Sequence, residues 1–213
     1  MSKNESYLVA LSQKHSHPLE RLRPYAIEHE VPIIHPLSLD MIKQLIRIHQ
    51  PKRILEIGTA IGYSAMHFAS VDPSVHIWTI ERDKNMYQQA EQNIEDFGYQ
   101  TQIHMIYGDA RETFDQVSDT QFDMIFIDAA KAQTKKFFEL YTPLLREGGL
   151  VVVDNILYHD FVADIDVVRS RNIKQMVKKI QKFNAWLNDN EAYQTNFLDI
   201  EDGLALAVKG DSK

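Results

Sequence analysis

A chain of 213 residues, 44% apolar and 25% charged, can bury a substantial core and has the balance of an ordinary globular protein. Its formal charge of −7 argues against a general nucleic-acid coat, although phosphates respond to local patches rather than to net charge. The absence of cysteine excludes disulfides, thiolate metal sites and Cys nucleophiles.

No run of eighteen apolar residues is present, so no transmembrane helix is expected. The first twenty residues, MSKNESYLVALSQKHSHPLE, lack the apolar core and small-residue cleavage site of a signal peptide, which makes a cytoplasmic protein the expectation. Without an internal repeat, low-complexity tract or linker, one domain over residues 1–213 is predicted, with 1–35 a helical extension and 36–213 the core.

Beyond the N-terminal region, a helix is expected to open at Ser38, with Ile42, Leu45, Ile46 and His49 on one side. Short apolar runs then alternate with helical patterns. The runs are RILEIG (53–58), VHIWTIE (75–81), QIHMIYGD (102–109), FDMIFID (122–128) and GLVVVDN (149–155). Each is apolar on both faces, as strands of a parallel sheet covered on both sides should be. Asp83 reads as an N-cap, Met86, Ala90, Ile94 and Phe97 as a stripe, and Gly98 as the residue that ends that helix. Residues 167–188 read as an amphipathic helix with Ile173, Val177, Ile180 and Leu187 inward. TNFLDI and LALAVKG, split by Glu201-Asp202-Gly203, read as an antiparallel hairpin. The sum is an α/β fold: a doubly wound, seven-stranded Rossmann-like sheet, mostly parallel, with right-handed crossovers and a C-terminal antiparallel hairpin.

Open α/β sheets bind ligands beyond the carboxyl ends of their strands. Those ends are Gly58, Glu81, Asp109, Asp128 and Asp154 with Asn155, and four of the five carry a carboxylate, more than helix capping alone would supply. Gly58 permits a tight turn, and Gly62 is expected to let a ligand or strand approach the backbone. Ala60 stands where the dinucleotide fingerprint needs its second glycine, which weakens an NAD reading. Glu81 can accept hydrogen bonds from both hydroxyls of a ribose. With Gly108-Asp109-Ala110 it favours a nucleoside cofactor.

These features (E-x-G-x-x-x-G, the acid ending strand two, G-D-A after strand three, the terminal hairpin) resemble class I S-adenosylmethionine-dependent methyltransferases over roughly residues 35–208. The resemblance implies that Glu56, Gly58 and Ser64 line the methionine side of the cofactor and that Glu81 holds the ribose. It places Asp109 and Ala110 against the adenine, Ile34 at the substrate-side contact, and Asp128 as a further cofactor neighbour.

Asp128 ends the fourth run and Asp154-Asn155 the fifth. On neighbouring strands, about 4.8 Å apart, their oxygens converge as hard ligands suited to Mg²⁺, Mn²⁺ or Ca²⁺; turn chemistry is the alternative for Asp154-Asn155. F-I-D-A-A-K, V-V-V-D-N-I-L-Y, F-N-A-W (183–186) and E-D-G-L (201–204) resemble the caffeoyl-CoA/catechol branch of metal-dependent O-methyltransferases. That resemblance implies Asp128, Asp154 and Asn155 as ligands of Mg²⁺ or another hard divalent cation, and Lys131 as base, its alternative being a solvated first-turn lysine. His159 is a further candidate for substrate contact, a solvated loop position being the alternative.

Arg169, Arg171, Lys174, Lys178, Lys179 and Lys182 cluster between Val167 and Asn188 without an acid. A solvated face and a phosphate-binding face are both open readings, with Arg21 and Arg23 as possible extensions of the patch. Across the whole chain, the V-P-I segment, L-E-I-G-T-A-I-G-Y-S and the basic stretch are similar to bacterial members of the branch that methylate 5-hydroxyuridine in the tRNA anticodon loop. That resemblance implies 5-methoxyuridine at the wobble position as product, tRNA as partner and a homodimer as assembly. The 5-hydroxyl and O4 of that base are vicinal and chelate a cation as a catechol does, and a loop base can leave its stack. The alternatives are a catechol or hydroxycinnamoyl-CoA O-methyltransferase and a nucleotide-binding α/β protein without catalysis.

Overall fold

Strand β1 (Arg53–Ile57) buries four of its five residues, so its neighbours must cover both faces. In the computed structural model, which describes residues 3–12, 17–129 and 131–210, it belongs to the first of two compact units, residues 1–110 and 111–213. Residues 1–2 and 13–16 of the expected N-terminal extension and Ala130 of F-I-D-A-A-K lie outside the described residues.

In the first unit, α1 (Lys3–Ser12), α2 (Leu22–Glu28) and α3 (Pro36–His49) precede β1. Helix α3 opens two residues before the expected Ser38. Pro36 supplies a preset φ at the first helical position, and His35 Nδ1 accepts the Leu37 N–H at 3.4 Å as a cap, a signal that a search for Ser, Thr, Asp or Asn passes over. After β1 come α4 (Tyr63–Ala69), β2 (His76–Glu81), α5 (Lys84–Asp96) and β3 (Ile103–Tyr107). Helix α5 starts as read: Asp83 Oδ1 accepts the amides of Asn85 and Met86. Gly98, at φ +79°, follows its last turn. Strands β1 and β2 pair in parallel up to Ile57↔Ile80, and β2 and β3 up to Glu81↔Tyr107. The three strands therefore stop in step, which brings Gly58, Glu81 and Gly108 to one edge.

The second unit holds β4 (Phe122–Ile127), α6 (Thr134–Tyr141), β5 (Leu145–Asp154), α7 (Arg171–Asn188), β6 (Tyr193–Leu198) and β7 (Leu204–Lys209). Strand β5 begins four residues earlier than expected because it runs through Gly148 and Gly149, with a register irregularity opposite Phe122 and Met124. Beyond it β4 and β5 are parallel to Ile127↔Val153, while β7 is antiparallel to β5 and to β6. Helix α7 starts at Arg171 behind the Ser170 cap, so Arg169 precedes it, and Phe183 joins Val177, Ile180 and Leu187 inside. In the F-N-A-W stretch, buried Phe183 and half-buried Trp186 both pack edge-on against Phe138, at 6.0 and 5.4 Å between ring centroids.

The strand order is β3-β2-β1-β4-β5-β7-β6, the mixed α/β sheet with a C-terminal antiparallel hairpin expected from the sequence. Among the described residues no helix is long and apolar enough to cross a membrane.

A polar knot ties the segment after α1 to α4. Tyr63 donates to Glu20 Oε1 at 2.5 Å and accepts from Arg23 Nη2 at 2.7 Å, while Arg23 Nε donates to Glu20 Oε2 at 3.1 Å. His67 Nε2 lies 3.2 Å from Glu20 Oε1 but out of line, and neither ring nitrogen has a hydrogen-bond partner. Burial pulls the His67 pKa down, so the ring is neutral at pH 7. Burial also pushes the Glu20 carboxyl up, but the close approach of His67 and the hydrogen bonds from Tyr63 and Arg23 outweigh it and hold the group at about 2. A carboxyl depressed in this way contributes stability above its unfolded pKa and loses it as pH falls through the folded value. Glu20→Gln should therefore cost on the order of 1–2 kcal/mol at pH 7, discounted for partial exposure, with the deficit shrinking as pH falls from about 4.5 toward 2. Urea denaturation of both proteins across that range measures it.

Candidate active site

The turn after β1 is set by residues with positive φ and by backbone hydrogen bonds. Gly58 has φ +105° and donates its N–H to Ile80 O at 3.1 Å, and Ala60 is left-handed at φ +47°. Ala60 donates its amide to Glu81 Oε2 at 2.9 Å, while Asp83 donates its amide to Glu81 Oε1 at 2.7 Å. Each oxygen of the half-buried Glu81 thus accepts one backbone bond, a role that leaves further acceptor capacity on both. Gly62 is needed for its φ of +80°, not for the close approach expected of it: a Cβ there would sit at an ordinary 3.4 Å from Ala90 Cβ.

Glu56 and Ser64 are joined. Ser64 Oγ donates to Glu56 Oε1, and Thr79 Oγ1 donates to Glu56 Oε2 while accepting from Thr59. The fully buried Glu56 carboxylate thereby locks β1, β2 and the start of α4 together. No motif pointed to Thr79; its only signal is a polar residue on the inward register of an otherwise apolar strand. Asp109 is half-buried and Ala110 buried beyond β3, next to Gly108, whose N–H reaches Glu81 O at 2.9 Å. Ile34 is buried, and its carbonyl accepts from Arg23 at 3.5 Å.

In the second unit, the Ile127↔Val153 pairing sets Asp128 and Asp154 side by side at the ends of β4 and β5. Asn155, left-handed at φ +66°, donates its backbone amide to Asp154 Oδ1 at 2.7 Å. Its Nδ2 donates to Asp128 Oδ1 at 3.0 Å, and its Oδ1 accepts from Lys131 Nζ. Lys131 also lies 4.8 Å from the centre of the Tyr158 ring. Four of the residues singled out in sequence are therefore in one cluster.

Burial raises the Asp128 pKa, with Glu201 adding to it and Lys131 and Asn155 opposing. Asp154 is raised further, by burial, by the Asp128 charge and by Glu201. Among the described residues no three His, Asp or Glu side chains form a metal cluster, so the set is two carboxylates and an amide. Two like charges out of water with an amide oxygen at hand form a hard, electron-rich donor set, which fits a divalent cation of the Mg²⁺ or Ca²⁺ kind. His159 is 60% exposed, and its Nδ1 lies 3.2 Å from Asp202. Arg169, Arg171, Lys178 and Lys182 are exposed and Lys174 half-exposed.

A carboxyl whose folded pKa is raised stabilises the fold only below its unfolded pKa, and the contribution is lost as pH rises through the folded value. In chelator, Asp154→Asn should therefore melt at a higher temperature than the parent at pH 7, with the difference vanishing near pH ~3. Thermal melts across that range decide it.

The sequence matches the model of the O-methyltransferase family over residues 10–210. A catechol O-methyltransferase of Niastella koreensis is 31% identical over 184 residues, covering 82% of this chain and 81% of the relative. A Staphylococcus aureus crystal structure, named as a candidate caffeoyl-CoA O-methyltransferase, is 55% identical with a TM-score of 0.95, covering 98% of this chain and 100% of that one. An O-methyltransferase of Streptomyces achromogenes in complex with SAM, 23% identical, shares the fold with a TM-score of 0.84 over 99% and 100% of the two chains. Matched by that model over nearly its whole length, the chain belongs to the O-methyltransferase family.

Proposed function

We propose that this chain transfers the methyl group of S-adenosylmethionine to one of two adjacent oxygens of an acceptor chelated by Mg²⁺ or a similar cation. The observation that carries the reading is the cluster of Asp128, Asp154, Asn155 and Lys131 at the ends of two paired parallel strands. A cation held by the two carboxylates and the amide would lower the pKa of a chelated hydroxyl and fix its oxygens in place. Lys131, hydrogen-bonded to Asn155, would take the proton that this hydroxyl gives up as the neutral amine, a form that the charge of a bound cation would favour. On the donor side, Glu81 keeps acceptor capacity for two ribose hydroxyls. Asp109 and Ala110 border the base, Ile34 the reacting end, and the Gly58–Gly62 turn the methionine portion. The methyl leaves as the sulfonium becomes a thioether, and the new O–CH₃ bond needs in-line approach but no covalent enzyme intermediate.

The names of the relatives support a small catechol or caffeoyl-CoA type of acceptor. A second reading, 5-hydroxyuridine at the wobble position of tRNA, is supported by Arg171, Lys174, Lys178 and Lys182 on α7 with Arg169 just before it. None of the five forms an ion pair among the described residues, in a chain of net charge −7. That base offers the same vicinal oxygens, and the cations offer phosphate contacts.

Incubation with labelled S-adenosylmethionine, Mg²⁺ and either a catechol or tRNA from a strain lacking the modification separates the two. Methylated catechol without 5-methoxyuridine rejects the RNA reading, and the converse rejects the small molecule. Asp128→Ala should lower turnover by at least about a hundredfold on either acceptor, because a buried ligand and a hydrogen bond to Asn155 go together; activity that persists in chelator removes the cation from the reaction. Replacing Lys174, Lys178 and Lys182 with Gln should weaken tRNA binding and reduce its salt slope by about 3, as fluorescence anisotropy at several salt concentrations would read. An unchanged slope makes the face a solvated one.

A further inference from the structure

The E-D-G turn between β6 and β7 does more than reverse the chain. Pairing of Asp154 with Leu204 sets residues 201–203 beside the loop that leaves β5. In that loop Asn155, Tyr158, His159 and Asp160 all have positive φ, at 66°, 43°, 55° and 61°. Residues with side chains rarely adopt such conformations, and they persist only where the surroundings impose them.

The surroundings are Asp202 and Gly203. The carbonyl of the buried Asp202 accepts the amides of Leu157 and Tyr158 at 2.7 and 3.3 Å, and its Oδ1 accepts the amide of His159 at 2.8 Å. Gly203 O takes the Ile156 amide at 3.2 Å. Gly203 itself has φ +84°, and a Cβ on it would lie 2.5 Å from Leu157 Cγ, so the loop rests directly on the glycine. From α7, Asn184 Nδ2 holds Ile156 O at 2.8 Å. What this scaffold presents is the Tyr158 ring, 4.8 Å from Lys131 Nζ.

We infer that Asp202 is a positioning residue: by fixing the 157–159 backbone, left-handed at Tyr158 and His159, it seats the Tyr158 ring against the Lys131 ammonium, which holds Lys131 on Asn155. The inference rests on the reading of Asp128, Asp154 and Asn155 as the acceptor side. Asp202 itself needs no contact with the reacting groups. Its carboxylate oxygen serves as a backbone acceptor, a task an amide oxygen also performs, whereas the Tyr158 ring works through its face, a task phenylalanine also performs.

Asp202→Ala should lower kcat by about tenfold, the scale of a lost hydrogen bond to a charged acceptor, with KM for S-adenosylmethionine unchanged. Asp202→Asn should stay within about threefold of the parent, and Tyr158→Leu should copy Asp202→Ala while Tyr158→Phe does not. Hydrogen exchange on the ligand-free protein should show the amides of 157–159 exchanging faster in Asp202→Ala alone. An undiminished kcat in Tyr158→Leu overturns the inference, as does an Asp202→Asn loss equal to that of Asp202→Ala. Exchange at 157–159 that Asp202→Ala leaves unaltered overturns it as well. If the parent transfers no methyl group to any acceptor, the functional reading fails, and the exchange measurement still decides whether Asp202 holds the loop.

Discussion

Register partners Ile127 and Val153 place two carboxylates next to each other, and the second unit is organised around the repulsion that results. Asp128 and Asp154 are both only partly exposed, so much of their charge must be met locally. Asn155 meets both, donating its side-chain amide to one and its backbone amide to the other. It can do so only at φ +66°, a backbone state that asparagine tolerates better than most residues. The positive end of Lys131 supplies the remaining compensation. The fold by itself only moderates the like-charge penalty of such a pair, and a divalent ion, if bound there, would remove it.

The first unit meets the opposite demand. Its carboxylates are well satisfied before any ligand arrives. Glu56 accepts from Ser64 and Thr79, Glu81 from the amides of Ala60 and Asp83, and Glu20 from Tyr63 and Arg23. These bonds hold the Gly58–Gly62 turn and the N-terminus of α4 rigid, so binding there requires little ordering.

Much of this was legible in the sequence because parallel strands announce themselves as runs apolar on both faces, and their ends are where side chains must turn polar. Asp83 and Gly98 bracketed α5 correctly for the same reason: capping chemistry is local. What escaped detection was non-local or chemically unusual. His35 is not among the residue types by which helix caps are usually recognised, and Pro36 went unread as a helix start. Thr79 is polar only toward Glu56, a partner 23 positions away. Phe183 and Trp186 sat in a motif associated with the family, which concealed that they are packing residues around Phe138. Gly62 was credited with making room, when the requirement is its dihedral angle.

The E-D-G turn illustrates the same limit from the other side. As a local signal it predicts a hairpin, and the hairpin is there. Its buried acid is unexplained by a hairpin, since a solvated turn would leave Asp202 exposed rather than buried. Burial of a carboxylate needs partners for its oxygens, and here Oδ1 has the backbone amide of His159 and, at 3.2 Å, its ring Nδ1. Because the antiparallel β5–β7 register sets the turn opposite Asp154, any residue that fixes the turn also fixes the start of the loop carrying Asn155. The C-terminal antiparallel pair is therefore part of the chemistry-bearing edge rather than an appendage to a parallel sheet. A parallel strand in its place would run the other way and bring no turn to the carboxyl end of β5.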